Sequence, residues 1–220
     1  MTFKLWDRWA PSLGILTVVC WALAFAVAGS NPSTDDSDSQ ITSYYMSHSH
    51  QTKQIAGFFI FMAGVLLFFG FLAALRRRLA AAEGPGGSLA ALAFGAGVSS
   101  ATLGGLALAF LTAPAFMTND TGPANLDPKT YRMIGDLGYE IWVAAVIVGA
   151  VLVWATSALA LRTAVLPRWF GWLGLLVGLI LLFAVVFLPA FVYAGWIVLA
   201  AALLTWLPAR AASPAVPQAA

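Results

Sequence analysis

Both histidines of the chain, two of its five tyrosines and a methionine lie in one short polar segment, ITSYYMSHSHQ, at residues 41–51. Thioether sulfur and imidazole nitrogen are ligands that copper and zinc accept. If the segment is extended, Met46, His48 and His50 point to one side and could form a metal pocket. If it is helical, His48 and His50 lie on different faces, with Tyr44 and Met46 as their i, i+4 neighbours. We expect a helix that runs into the apolar stretch after it.

A second polar segment, PKTYRMIGDLGYE, carries carboxylates spaced for one helix face. Asp127 directly before Pro128 predicts a helix start, with an N-cap followed by proline at the first helical position. Asp136 and Glu140 are four residues apart and repel each other on a helix, which a cation or Arg132 could relieve. A ligand pocket shared by the two segments is therefore an alternative to simple packing of their aromatic rings. Its candidate residues are Tyr44, His48, His50, Asp136, Tyr139 and Glu140.

The elements that must position these segments are apolar helices. Of the 220 residues, 61% are hydrophobic and only 9% are charged, and the mean hydropathy is +0.87. Soluble domains carry about 25% charged residues, so the composition predicts an integral membrane protein with all-α architecture. A spanning helix needs about 20 apolar residues. Six runs qualify, with a helix break expected at Pro189: 12–30, 54–75, 89–112, 139–161, 169–188 and 190–207.

The first run also imitates a secretory signal, but it is long enough to span, and we expect it to remain uncleaved. With six spans, eight basic residues lie on the side of the termini and three on the other side, which predicts cytoplasmic termini in the plasma membrane. Loops 31–53 and 113–138 then face outward, and residues 208–220 form a disordered cytoplasmic tail. The eight basic residues are Lys4, Arg8, Arg76, Arg77, Arg78, Arg162, Arg168 and Arg210.

The sequence contains none of the common motifs for nucleotide-driven or hydrolytic chemistry. There is no GxxxxGK[ST], HExxH or GxSxG pattern. No ionisable residue lies well inside a span, which argues against a proton-driven pump. The single cysteine, Cys20, lies in an apolar run and predicts no intramolecular disulfide. We therefore predict no catalytic residues, no cofactor and no nucleic-acid partner.

The spans differ in the size of their side chains. Small residues that recur on one helix face predict close helix packing; they are Gly97, Ala101 and Gly105 in the third run and Gly171, Gly174 and Gly178 in the fifth. The second run is rich in phenylalanine, which favours core packing or lipid contact over a site for a flat cofactor. The basic flank Arg76, Arg77 and Arg78 is a candidate contact for anionic lipid. A homo-oligomer or a larger membrane assembly is also consistent with these spans.

Several stretches together resemble a known family: the tyrosine pair before the second run, ALRRRLAAAEG, LDPKTYRMIGDLGYEIW and LRTAVLPRWFGWLGLLVGLILL. They look like uncharacterised actinobacterial multi-pass membrane proteins similar to the domain-of-unknown-function 4386 family. The resemblance covers most of the chain. It implies a six-helix plasma-membrane protein and carries over no catalytic residue.

Three classes of function follow. The leading interpretation is a binding protein or a scaffold or accessory subunit, because the spans are uncharged and enzymatic motifs are missing. The second is a transporter or facilitator for a small solute. The third is a membrane enzyme or metal-binding protein with an outward-facing site, and it lacks any recognisable nucleophile.

Overall fold

The computed structural model describes residues 9–122 and 126–206, and in these ranges it is entirely helical, with no strand. A short 3₁₀ turn at Ala10–Ser12 leads into the first helix. The α-helices are α1 (Leu13–Ala28), α2 (Asp38–Met46), α3 (His48–Glu83), α4 (Leu89–Thr121), α5 (Pro128–Thr163), α6 (Arg168–Leu181) and α7 (Leu188–Trp206). The predicted tail at 208–220 lies outside the described residues.

Within the described residues, five helices are long and apolar enough to cross a membrane. They are α1 together with its 3₁₀ turn, α3, α4, α5 and α7. Helices α3 and α5 have 36 residues each, so each is about 54 Å long at 1.5 Å per residue. Because the hydrocarbon core is about 30 Å thick, both helices extend beyond it. Their polar ends carry the segments that the sequence singles out.

The helix in the fifth apolar run is shorter than the run of apolar residues predicts. Helix α6 ends at Leu181, and residues 182–187 form consecutive turns before α7 begins at Leu188. Backbone bonds such as Phe183 N to Ile180 O, 3.0 Å, satisfy part of this connection. The break therefore falls before Pro189 rather than at it. Proline is tolerated there because the first turn of a helix has no amide partner to lose.

Apart from the short α2, each helix packs against the next along the chain: α1 on α3, α3 on α4, α4 on α5 and α5 on α6. Helix α7 contacts both α1 and α6. The bundle core is built on large side chains that are fully buried. Helix α3 supplies six of the twelve largest that the structure describes: Phe61, Phe68, Phe71, Leu72, Leu75 and Leu79. Phe59 on the same helix is 61% exposed and faces away from the core. The phenylalanine-rich run therefore has one core face and one outer face.

Glycines allow α5 and α6 to approach closely. A Cβ at Gly174 would overlap Ser157 Oγ, and one at Gly178 would overlap the Trp154 indole. At Gly171 a Cβ would lie 2.7 Å from Leu161 Cγ. On α4, a Cβ at Gly97 would lie 2.5 Å from Leu72 Cδ2. A methyl group at any of these positions would require a neighbouring side chain to shift.

A pair of alanine substitutions tests this packing. Gly174→Ala should lower the free energy of unfolding by about 1–3 kcal/mol, the usual cost of overpacking. Gly95→Ala is the control, because no atom lies within 4 Å of its Cβ position, and alanine has the higher helix propensity. Denaturant unfolding in detergent micelles measures both. Equal changes in the two variants would contradict close packing at Gly174.

The arginine triplet at the end of α3 contacts other helices. The Arg76 guanidinium lies 5.1 Å from the centre of the Phe94 ring. Arg78 Nη2 donates to the Leu204 carbonyl near the end of α7, at 3.4 Å. Two of these arginines thus help to fix α3 against α4 and α7. Binding of anionic lipid by the triplet stays a prediction.

Candidate ligand-binding site

Residues 31–46 form a small cap over one end of the bundle, and its helix α2 begins with a capping box. Ser37 Oγ accepts from Gln40 N at 3.4 Å, and Gln40 Oε1 accepts from Ser37 N at 2.9 Å. This reciprocal pair satisfies amides that the helix start leaves open. Asp38 in the first turn adds a favourable charge at the positive end of the helix dipole.

The sequence predicts one continuous helix for the segment that contains both histidines. In the structure this segment is broken into two helices. Helix α2 ends at Met46, Ser47 is extended with φ −82° and ψ 110°, and α3 begins at His48. The break changes which rings meet. The Tyr44 and His50 rings stack with centres 4.2 Å apart and planes 14° apart.

The underside of the cap is apolar. Ile41 and Tyr45 are fully buried and form a second small core with Ala115, Leu126 and Tyr131. Burial raises the pKa of the Tyr45 hydroxyl far above its ordinary value of 10, and the neighbouring Tyr131 raises it further. Among the described residues this hydroxyl has no hydrogen-bond partner. The cap is therefore docked by hydrophobic contact as well as by polar groups.

One arginine of α5 holds the chain before α2. Arg132 Nε donates to the Thr34 carbonyl at 2.8 Å, and its Nη2 donates to the Asp36 carbonyl at 2.7 Å. The same Nη2 lies 2.8 Å from Asp38 Oδ1. The fixed fork of a guanidinium suits several acceptors at once. Arg132 is thus paired with the cap, and not with Asp136 as its i, i+4 spacing suggests.

Other polar contacts fix the cap from below. Tyr131 Oη donates to the Pro32 carbonyl at 2.7 Å. Gln51 Nε2 donates to the Tyr45 carbonyl at 2.6 Å, and Gln54 Nε2 donates to Tyr44 Oη at 3.1 Å and to Asn31 Oδ1. Sequence reasoning missed both glutamines. Their signal was a pair of amides in the first turns of an otherwise apolar helix.

The start of α5 agrees with its sequence. Asp127 is the N-cap, and Pro128 is the first helical residue. The Asp127 carboxylate accepts from the Thr130 hydroxyl at 2.8 Å and from Thr130 N at 3.0 Å. These bonds lower the pKa of Asp127 below its ordinary value. The N-cap bonds of Asp127 are therefore complete at neutral pH, and they weaken only when the pH falls through that lowered pKa.

Two grooves open beside the cap. The first, which we call the α4–α5 groove, has a volume of about 250 Å³. It is lined by Asn31, Pro32, Thr34, Phe110, Leu111, Pro114, Tyr131, Gly135, Asp136 and Tyr139. The second, the cap groove, is shallower, with about 420 Å³. It is lined by Ser30, Asn31, Pro32, Asp36, Gln40, Ser43, Tyr44 and His50. The two grooves share Asn31 and Pro32.

A carboxylate without a partner lies in the wall of the α4–α5 groove. Among the described residues, Asp136 makes neither a salt bridge nor a hydrogen bond. Tyr139, one turn later on α5, donates its hydroxyl to the Val185 carbonyl. Phe110 and Tyr131 add aromatic surface beside the carboxylate. Asp136 is therefore the charged group that this groove offers to a ligand.

A family model described as Domain of unknown function (DUF4386) matches residues 12–213. The chain belongs to the DUF4386 family. This confirms the family resemblance of its loop and flank sequences. No curated protein and no solved structure matches the chain. For this DUF4386 protein, the site must therefore be interpreted from its own geometry.

In this DUF4386 protein, four of the six candidate ligand-binding residues line a groove, and they are divided between the two grooves. Tyr44 and His50 line the cap groove, and Asp136 and Tyr139 line the α4–α5 groove. His48 lines neither groove, and its Nδ1 lies 3.3 Å from Gln51 Oε1 at the start of α3. Glu140 also lines neither groove, although it follows Asp136 by one helical turn.

The histidines of this DUF4386 protein are paired separately. His50 Nδ1 lies 3.1 Å from the Tyr44 carbonyl oxygen, whereas His48 contacts Gln51. Met46 is 65% exposed. Within residues 9–122 and 126–206, no group of three or more His, Cys, Asp or Glu side chains is placed to hold a metal ion. A metal site made of Met46, His48 and His50 stays a prediction.

Proposed function

We propose that this membrane protein binds a small organic cation from the outer side of the membrane, in the α4–α5 groove. The observation that carries the proposal is the Asp136 carboxylate, which lies beside aromatic rings and has no partner in the part of the chain that the structure describes. A carboxylate neutralises the ammonium group of such a ligand, and aromatic rings attract a cation that lies over their faces; Tyr131, Tyr139 and Phe110 line the same groove. The volume of about 250 Å³ suits a compact amine rather than a drug-sized molecule.

The charge balance of the cap end supports a cationic ligand. Seven acidic residues belong to the segments at this end of the bundle: Asp35, Asp36, Asp38, Asp120, Asp127, Asp136 and Glu140. Only Lys53, Lys129 and Arg132 oppose them, and Arg132 is already paired with Asp38. An excess of one charge sign around a cleft raises the local concentration of counter-ions. Cations are therefore attracted to the groove before they bind.

The outward orientation rests on six crossings with cytoplasmic termini. The chain after α5 returns along it, because Tyr139 bonds to Val185, which follows α6. From Tyr139 to Arg162, α5 rises about 35 Å at 1.5 Å per residue, slightly more than the hydrocarbon core. This return supports a sixth crossing made by α6 and the turns after it. The eight-to-three distribution of basic residues then favours a cap that faces outward.

Cysteine labelling tests this orientation. In a Cys20→Ala background, Ser43→Cys on the cap should react with a membrane-impermeant maleimide in intact cells. Ser88→Cys, in the connection between α3 and α4, should react only after the membrane is permeabilised. Both serines are exposed, so accessibility to the reagent depends on the side of the membrane. The reverse pattern would overturn the proposed orientation.

Binding is tested with tetraethylammonium as the probe and isothermal titration calorimetry of the protein in lipid nanodiscs. Asp136→Asn should raise the Kd at least about tenfold, which corresponds to about 1.4 kcal/mol of lost binding free energy. Glu140→Gln is the matched control, because it removes the same charge one turn away, outside the groove. Binding should also weaken as salt screens the acidic surface.

Two results would contradict the proposal. One is no change in the Kd of Asp136→Asn, and the other is an equal loss in both variants, which would indicate nonspecific attraction by the acidic surface. The scaffold, transporter and enzyme interpretations of the sequence stay predictions, because no specific contact in the structure favours one of them.

A further inference from the structure

A further, smaller cavity lies between the helices, separate from the grooves at the cap. Residues from five helices line it, including Trp21 of α1, Phe61 of α3, Ser100 of α4, Trp142 of α5 and Tyr193 of α7. Its volume is about 50 Å³. No charged residue is among its lining residues, so any ligand it accepts is neutral.

The cavity has a polar side. Ser100 Oγ donates to the Ala145 carbonyl at 2.8 Å, and it lies 3.4 Å from Tyr193 Oη. Because the Ser100 proton is used for Ala145, Tyr193 is the donor in this second contact. The lone pairs of the Tyr193 oxygen then stay open to a ligand that donates a hydrogen bond.

The cavity wall also includes an indole with an unused donor. Trp142 Nε1 is buried and has no hydrogen-bond partner among the described residues. Trp21 Nε1 also has no partner among the described residues, and it lies against α3, because a Cβ built on Gly64 would be 2.8 Å from it. By contrast, Trp154 Nε1 donates to the Leu175 carbonyl at 3.2 Å. A buried unpaired donor is costly and requires an explanation.

We propose that the central cavity binds one small neutral molecule through a hydroxyl oxygen. Such an oxygen accepts from the Trp142 N–H and donates to the Tyr193 oxygen, which satisfies both groups. One water molecule needs about 10–15 Å³ of cavity volume measured with a water-sized probe, so the cavity has room for water or a short alcohol. The aromatic walls suit the alkyl part of an alcohol.

Nuclear magnetic resonance of indole-¹⁵N-labelled protein in detergent micelles tests the proposal. Trp142→Phe and Trp154→Phe identify the two resonances. The Trp142 N–H should show a cross-peak to water protons, and the Trp154 N–H, which has its own acceptor, should show none. Tyr193→Phe removes the oxygen and should abolish the Trp142 cross-peak, while the Trp154 resonance keeps its position if the fold is intact.

Addition of ethanol distinguishes the two sources of the hydroxyl. Saturable replacement of the water cross-peak by one to ethanol would assign an alcohol site, and an unchanged water cross-peak would assign a site for water alone. Either result supports a bound hydroxyl oxygen. A Trp142 N–H with no cross-peak, or with cross-peaks only to detergent or lipid chains, would overturn the proposal.

Discussion

Phe68→Ala should lower the free energy of unfolding by about 3 kcal/mol, one of the two largest effects that we expect. Phe68 is fully buried, and its ring lies 5.7 Å from that of Phe71 and 5.6 Å from that of Trp21. Truncation of a buried aromatic costs about 3–5 kcal/mol in soluble proteins. The lower end applies here, because the separated helices remain in lipid rather than in water and the cost is mainly lost packing.

Phe59→Ala is the matched control on the same helix. Phe59 is 61% exposed, and a substitution away from the core should change stability by less than about 0.5 kcal/mol. Unfolding of the purified protein by SDS titration in mixed micelles compares the two variants. Similar losses would show that Phe59 is buried in the native assembly, for example against a second copy of the chain.

The features that the sequence predicts best are those with a local cause. The apolar runs predict the five long helices because each helix must satisfy its own backbone in lipid. Asp127 followed by Pro128 predicts the start of α5 because a cap involves only neighbouring residues. Hydrophobicity alone does not reveal the end of α6 at Leu181, since residues 182–187 are as apolar as the helix before them.

The candidate site was less predictable, because it depends on contacts between distant residues. The break at Ser47 accompanies the bond from Gln51 to the Tyr45 carbonyl and the stacking of Tyr44 on His50. Arg132 had one local partner in the sequence, Asp136, but the folded cap offers it two carbonyls and a carboxylate. No helical periodicity encodes these acceptors, which lie more than ninety residues earlier.

The α4–α5 groove shows the same limit. Its walls come from the cap, from α4 and from α5, so Asn31, Phe110 and Asp136 meet only after the helices pack. Sequence spacing grouped Asp136 with Glu140, because both lie on one helix face. The structure separates them, since a groove covers only part of that face. The negative charge of both side chains could be inferred from the sequence, whereas which of them a ligand in the groove can reach could not.

Arg132→Met should release the cap, the second large effect that we expect. It removes two charge-assisted hydrogen bonds and an ion pair while it keeps most of the side-chain length, at a cost of about 3 kcal/mol. An isolated helix of nine residues is not stable in water, so α2 should open more often when only its apolar contacts and the bonds from Tyr131, Gln51 and Gln54 hold the cap. Hydrogen exchange of residues 31–46 should rise about 100-fold, with α4 unchanged. Lys129→Met, a charge loss at an exposed position in the first turn of α5, should leave this exchange unaltered.

The same variant separates shape from charge at the α4–α5 groove. Removal of a positive charge close to Asp136 should by itself strengthen cation binding. Loss of the cap removes the wall that Asn31, Pro32 and Thr34 provide, and this should weaken binding. We expect the wall to dominate, because the attraction between exposed charges is screened by salt. Tetraethylammonium should therefore bind Arg132→Met more weakly than the unmodified protein, and tighter binding would show that the cap does not shape the site.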